Sequence, residues 1–174
     1  MKAKIKELQK LKGIGEVLSQ RFVAAGYDTF AKIASAGEEG VKKIQGINQR
    51  MVRSIVAQAG EMVNEAQKSK EKKIEDLKQL AANLKGQVQE IALGVRDRFK
   101  EEVSGKAGKK VEKELVKVIS SLEKVEGKLE TKVKKAGKGL AKAEKRLASL
   151  ADAGLKGVGK GLKKARKSLK RVHA

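Results

Sequence analysis

The stretch Leu11-Lys12-Gly13-Ile14-Gly15 returns 33 residues later as Ile44-Gln45-Gly46-Ile47-Asn48. Apolar residues at intervals of three and four positions precede and follow each copy, which is the spacing of one helix face. Between the copies, Gly26 has the character of a helix stop and Asp28 that of the N-cap of a short helix. The repeat therefore predicts two helix–turn–helix units joined by a short helix.

A tight turn that opens directly into a helix has a chemical consequence. The first backbone N–H groups of the helix have no intrahelical partner, and the helix dipole adds partial positive charge at the same place. Glycine in the turn permits a positive φ and lets a phosphate approach the backbone closely. The duplicated turn is thus suited to binding phosphate.

Residues 1–63 resemble the tandem helix-hairpin-helix family, whose repeat reads roughly apolar-x-Gly-apolar-Gly followed by a helix. The resemblance implies that two hairpins grip both strands of a DNA duplex across its minor groove. Such contacts go to phosphates, which position a protein without reading base sequence. The alternative is that the hairpins pack helices or bind a protein, as in some members of the family.

The resemblance also implies individual roles. Ile14 and Ile47 would anchor the turns in the core. The DNA-binding residues would be Lys12, Gly13 and Gly15 in the first hairpin, and Gln45, Gly46, Asn48, Gln49, Arg50 and Arg53 in and after the second. Asn48 replaces the second glycine, which is tolerable because Asn visits the left-handed region and caps helices. Glu16 would oppose a phosphate, so the second hairpin is expected to make the stronger contact.

Beyond residue 61 the apolar pattern becomes a sustained alternation of three and four, typical of coiled-coil helices flanked by Lys and Glu. A glycine-rich break separates two arms of equal length, 62–103 and 110–151. They predict an antiparallel helical hairpin, with a parallel homodimeric coil as the alternative. Within the last segment, 152–174, residues 155–159 echo the hairpin motif. A degenerate third hairpin and a plain basic amphipathic helix are the two interpretations.

The formal net charge of +21 indicates a polyanionic partner. Charge is densest in residues 152–174, with 8 Lys/Arg against 1 Asp/Glu. This tail adds six candidate DNA-binding residues: Lys163, Lys164, Arg166, Lys167, Lys170 and Arg171. A basic amphipathic helix can equally lie on anionic lipid, so a membrane-binding tail is the competing interpretation.

The sequence has few features typical of a catalytic or cofactor-binding site. Cysteine and proline are absent, and the one histidine, His173, is penultimate. We find no metal-ligand spacing, nucleophile–base pair or Walker-type loop, and therefore expect no enzyme activity and no cofactor. Neither a signal peptide nor a transmembrane run is indicated, which together with the lack of cysteine favours a cytoplasmic location.

These observations predict an all-α protein with a tandem helix-hairpin-helix domain at 1–60, a long helical hairpin or coiled coil at 61–151 and a basic tail at 152–174. The expected function is sequence-independent binding of double-stranded DNA in an architectural, nucleoid-associated role. A homodimer through the coiled coil is compatible with the pattern. The alternatives are a scaffold or adaptor subunit of a DNA repair or recombination assembly, and an anionic-membrane-binding protein.

Overall fold

The computed structural model describes residues 2–173, whose regular structure consists of α-helices and one 3₁₀ turn at Gln49–Met51. The helices are α1 (Lys2–Leu8), α2 (Glu16–Ala24), α3 (Phe30–Lys42), α4 (Val52–Arg98), α5 (Lys106–Glu126), α6 (Val133–Ala148) and α7 (Leu155–His173). The chain forms two compact units, residues 1–70 and 71–174. Helix α4 begins in the first unit and ends in the second. The predicted all-α fold is confirmed.

The first unit packs α1, α2, α3 and the start of α4 around its own core. Its fully buried side chains include Phe22 and Ile55, which lie 33 residues apart at equivalent positions of the repeat and are both 0 % exposed. Helix α2 stops where predicted, because Gly26 has a φ of +89° and the Tyr27 amide donates to the Phe22 carbonyl at 2.8 Å.

Asp28 is not the N-cap of α3, contrary to the prediction. Thr29 holds that position, and its hydroxyl accepts a hydrogen bond from the Lys32 amide at 3.3 Å. Asp28 instead forms ion pairs with the ammonium groups of Lys4 and Lys32, at 2.5 and 2.8 Å. A carboxylate one residue before the N-cap can reach two cations there, and Thr29 supplies the cap.

In the second unit, the helical arm predicted at 110–151 is divided into two helices. Helix α5 ends at Glu126 and α6 begins at Val133. In the connecting turn the Gly127 amide donates to the Glu123 carbonyl at 3.1 Å, and the Leu129 side chain is completely buried. The apolar stripe continues through the turn, so its periodicity does not show the break.

The segment predicted as a separate basic tail is a core helix of the second unit. Helix α7 packs against both α5 and α6, and its apolar face is buried: Leu155, Val158, Leu162, Ala165, Leu169 and Val172. Because residues 155–159 are helical, this sequence, which resembles the hairpin motif, does not form a third hairpin. Among residues 2–173 we find no helix with the length and apolarity needed to cross a membrane.

Close helix contacts at small residues hold α7 in place. A Cβ on Gly139 of α6 would collide with the Val172 side chain, and one on Gly161 of α7 would collide with Leu150. At the α6–α7 turn, the guanidinium of Arg98, the last residue of α4, donates to the carbonyls of Ala151 and Ala153, which ties this turn to the end of α4. The second unit is thus a packed helical bundle that includes the most basic segment of the chain.

Candidate nucleic-acid interface

Both hairpin turns adopt the backbone conformation that the repeat predicts. Gly13 has a φ of +94° and Gly46 a φ of +80°, a region that side-chain-bearing residues rarely occupy. The isoleucine that follows each glycine is buried, with Ile14 4 % and Ile47 8 % exposed. Their predicted role as core anchors is confirmed.

The fifth residue of each motif begins the next helix in extended conformation. Gly15 has φ −86° and ψ −175° and is the N-cap of α2. Asn48 has φ −73° and ψ 113°, and its side chain accepts a hydrogen bond from the Arg50 amide at 3.0 Å. Neither residue is left-handed, so Asn48 can replace glycine because it caps the helix start.

Five amide groups of the two turns form no hydrogen bond within residues 2–173: those of Gly13, Gly15, Gln45, Gly46 and Asn48. The amides of Ile14 and Ile47 instead donate back to Leu11 and Ile44. All five residues with unpaired amides are exposed. The first hairpin therefore presents two unpaired donors, and the second three, where the chain enters a helix.

Each turn is held by a side chain from the other repeat. The Lys12 amide donates to Gln58 Oε1 at 2.8 Å, and Arg21 Nη1 donates to the Gln45 carbonyl at 2.6 Å. Lys12 and Gln45 occupy the same position in the two motifs. Since Gln58 follows the second hairpin and Arg21 the first, these two hydrogen bonds brace the hairpins against each other.

The space beside each turn glycine is filled in the same reciprocal way. A Cβ on Gly13 would collide with the Met51 side chain, and a Cβ on Gly46 would collide with the Arg21 guanidinium. Sequence reasoning missed Arg21 and Gln58, because hydrogen-bond partners 24 and 46 residues away leave no local pattern.

The charge around the two hairpins is asymmetric. Gln49, Arg50 and Arg53 follow the second hairpin, and all three are exposed. At the equivalent positions the first hairpin has Glu16, Val17 and Gln20, and Val17 is 62 % exposed. Within residues 2–173, neither Arg50 nor Arg53 forms an ion pair. The second hairpin therefore has the more favourable surroundings for an anion.

The predicted site residues of the tail lie on α7, in the second unit. Five of them are exposed: Lys163, Lys164, Lys167, Lys170 and Arg171. Arg166 differs, because its Nε lies 3.1 Å from Glu114 Oε2, a carboxylate on α5 whose side chain is only 7 % exposed. This ion pair neutralises Arg166 inside the bundle, so its predicted role in DNA binding is not supported.

Comparison with known proteins agrees with this geometry. Residues 5–61 match the family model described as a SAM-like helix-hairpin-helix tandem, and the first unit thus contains a tandem helix-hairpin-helix domain. Domains of this kind generally bind nucleic acid. Neither a curated protein nor a solved structure matches the chain.

Proposed function

We propose that the tandem helix-hairpin-helix domain binds double-stranded DNA through the phosphates of its backbone, without reading base sequence. The observation that carries this proposal is the pair of turns whose unpaired amides lie at helix starts. Backbone N–H groups at such a position recognise the shape and charge of a phosphate. They carry no information about bases, so binding is independent of sequence.

The cross-repeat hydrogen bonds support the proposal because they fix the turns before a ligand arrives. A site that is already ordered does not lose conformational entropy on binding, so more of the contact energy appears as affinity. Arg21 and Gln58 would therefore act as positioning residues for the two turns. The exposed residues Arg50 and Arg53 would add charge-assisted contacts at the second hairpin.

The role we propose is architectural and nucleoid-associated, with the exposed lysines of α7 adding attraction to DNA. Burial of the apolar face of α7 argues against the alternative in which this helix lies on anionic lipid, because that mode requires the same face to enter the membrane. The adaptor alternative makes a different prediction, namely that changes at the hairpins leave DNA affinity intact.

Gly15 offers the sharpest test of the hairpins. A side chain at Gly13 or Gly46 would strain the fold, whereas a Cβ on Gly15 meets no atom within 4 Å. In Gly15→Asp, the carboxylate caps α2, which should raise stability by a few tenths of a kcal/mol. The same carboxylate occupies a first-turn amide of α2 and places negative charge beside the free amides of Gly13 and Gly15. Because this charge repels phosphate, we expect affinity for a mixed-sequence duplex to fall about tenfold or more, as for loss of a charge-assisted hydrogen bond.

Gly15→Asn is the matched control, since it caps the helix without adding charge. It should bind DNA more tightly than Gly15→Asp and less tightly than the unmodified chain. Thermal unfolding and gel-shift titration measure the two effects separately. A Gly15→Asp protein with unchanged DNA affinity would contradict the proposed function and favour the adaptor alternative.

A further inference from the structure

A groove of about 670 Å³ lies between α6 and α7 in the second unit. Five cationic side chains line it, and no carboxylate is among its lining residues: the cations are Arg146, Lys160, Lys164, Lys167 and Arg171. Gly157 and Gly161 of α7 also line the groove. The groove is therefore a concentrated region of positive charge with room for a ligand.

The charge of the groove is not compensated by the protein. Within residues 2–173 none of the five cations forms an ion pair. Arg146 donates to the Lys164 carbonyl and the Ser168 hydroxyl, and both acceptors are uncharged. These bonds hold the guanidinium at the groove, while on another face of α7 Arg166 is neutralised by Glu114.

The spacing of the cations on α7 indicates an extended ligand. Residues 160, 164, 167 and 171 follow the 4-3-4 pattern of one helix face. At 1.5 Å per residue they span about 16 Å. Successive phosphates of one strand of duplex DNA advance by roughly 3.4 Å along the axis while they wind around it, so a straight row of this length faces only a few of them. A row of cations of this length fits several successive phosphates better than a single small anion.

We propose that this groove is a second nucleic-acid-binding site, occupied by the sugar-phosphate backbone. The identification of its ligand as nucleic acid rests on the proposed function, but the site uses none of the hairpin residues. It also includes Arg146 and Lys160, neither of which was predicted from the sequence as a DNA contact. A chain with two separate phosphate-binding sites has the means to hold two segments of nucleic acid.

The test compares two pairs of substitutions in the full chain that remove the same charge from the same helix. Lys164→Gln with Lys167→Gln changes the groove, whereas Lys163→Gln with Lys170→Gln changes exposed lysines that do not line it. Removing one lysine that neutralises a phosphate should flatten the dependence of log affinity on log salt by about 0.9. We expect the groove pair to flatten the slope for a short mixed-sequence duplex by about 1.8, and the control pair by less than half as much.

Circular dichroism should show both pairs folded, since all four lysines are exposed. Equal effects of the two pairs would overturn the proposal, because nonspecific attraction would then suffice. A groove pair that loses binding of tripolyphosphate but keeps its duplex salt slope would overturn it as well, in favour of a small anion. Repeating the comparison in Gly15→Asp separates the two proposals: a persistent groove effect supports the groove whether or not the hairpins bind.

Discussion

At the scale of single residues, Asp28 shows how one carboxylate ties distant parts of the first unit together. It forms ion pairs with Lys4 of α1 and with Lys32 of α3. The contacts with Lys32 and Lys4 lower the pKa of Asp28 from 3.8 to about 2. A carboxylate that is more acidic in the folded protein favours folding at any pH above its unfolded pKa.

We therefore expect the first unit to lose stability in acid, in part because Asp28 becomes protonated. Its contribution is complete above pH 3.8 and is lost as the pH falls through about 2, because protonation then removes the attraction to both lysines. Asp28→Asn should lower the melting temperature at neutral pH. The melting temperatures of the two proteins should converge near pH 2. A difference in melting temperature that stays constant down to that pH would contradict this role of Asp28.

Residues whose role depends on their neighbours in sequence could be predicted, and residues that act across the repeat could not. Gly13, Gly46, Ile14 and Ile47 all behave as the motif implies, since a turn and its anchor are set locally. Asp28 was misassigned because a position before a helix can serve as a cap or as an ion-pair partner. Lys32 is only four residues away in the sequence, but Lys4 is 24 residues away and approaches Asp28 only in the folded unit.

At the scale of helices, some glycines lie in open space and others at tight contacts, so replacing them should have opposite effects on stability. A Cβ on Gly86 or Gly94 of α4 meets no atom within 4 Å, so these residues serve no packing purpose that the structure shows. A Cβ on Gly108 of α5 would collide with the backbone of Val103 in the preceding turn. Replacement by alanine should therefore stabilise the protein at Gly86 and Gly94 and destabilise it at Gly108.

Replacing Gly86 and Gly94 by alanine should each raise the stability of the second unit by about 1 kcal/mol, the usual difference in helix propensity. Gly108→Ala should lower it by roughly 1 to 3 kcal/mol, because the backbone of the turn must shift to admit the methyl group. Urea unfolding followed at 222 nm measures all three. A stabilised Gly108→Ala would show that the turn before α5 rearranges freely.

Apolar periodicity predicts which face of a helix is buried, but it predicts neither where the helix ends nor what covers that face. A 3.6-residue pattern identified the faces of α4, α5, α6 and α7 correctly, because each face is buried. It did not show that Gly127 ends a helix, since the stripe resumes in phase after the turn. It also could not show that the apolar face of α7 is covered by α5 and α6 rather than by lipid or a second chain.

At the scale of the whole molecule, positive charge is concentrated in the second unit. Residues 71–174 contain 29 Lys/Arg and 14 Asp/Glu, whereas residues 1–70 contain 13 and 7. Hairpin amides recognise a phosphate at short range, while net charge attracts a polyanion over about a Debye length. On the proposals above, the first unit supplies geometry and the second supplies most of the electrostatic attraction.

The two units should also respond separately to loss of α7. Deleting residues 152–174 removes six buried apolar side chains from the second core, so α5 and α6 lose the surface they pack on. The core of the first unit contains no residue beyond 62 and should remain folded. The fluorescence of Tyr27 reports on the first unit alone, because the chain has one Tyr and no Trp.

We expect the truncated chain to keep its Tyr27 fluorescence but to lose far more ellipticity at 222 nm than the 19 residues of α7 contribute. A loss equal to α7 alone would mean that this helix is an appendage, and that its charge can be removed without disturbing the bundle.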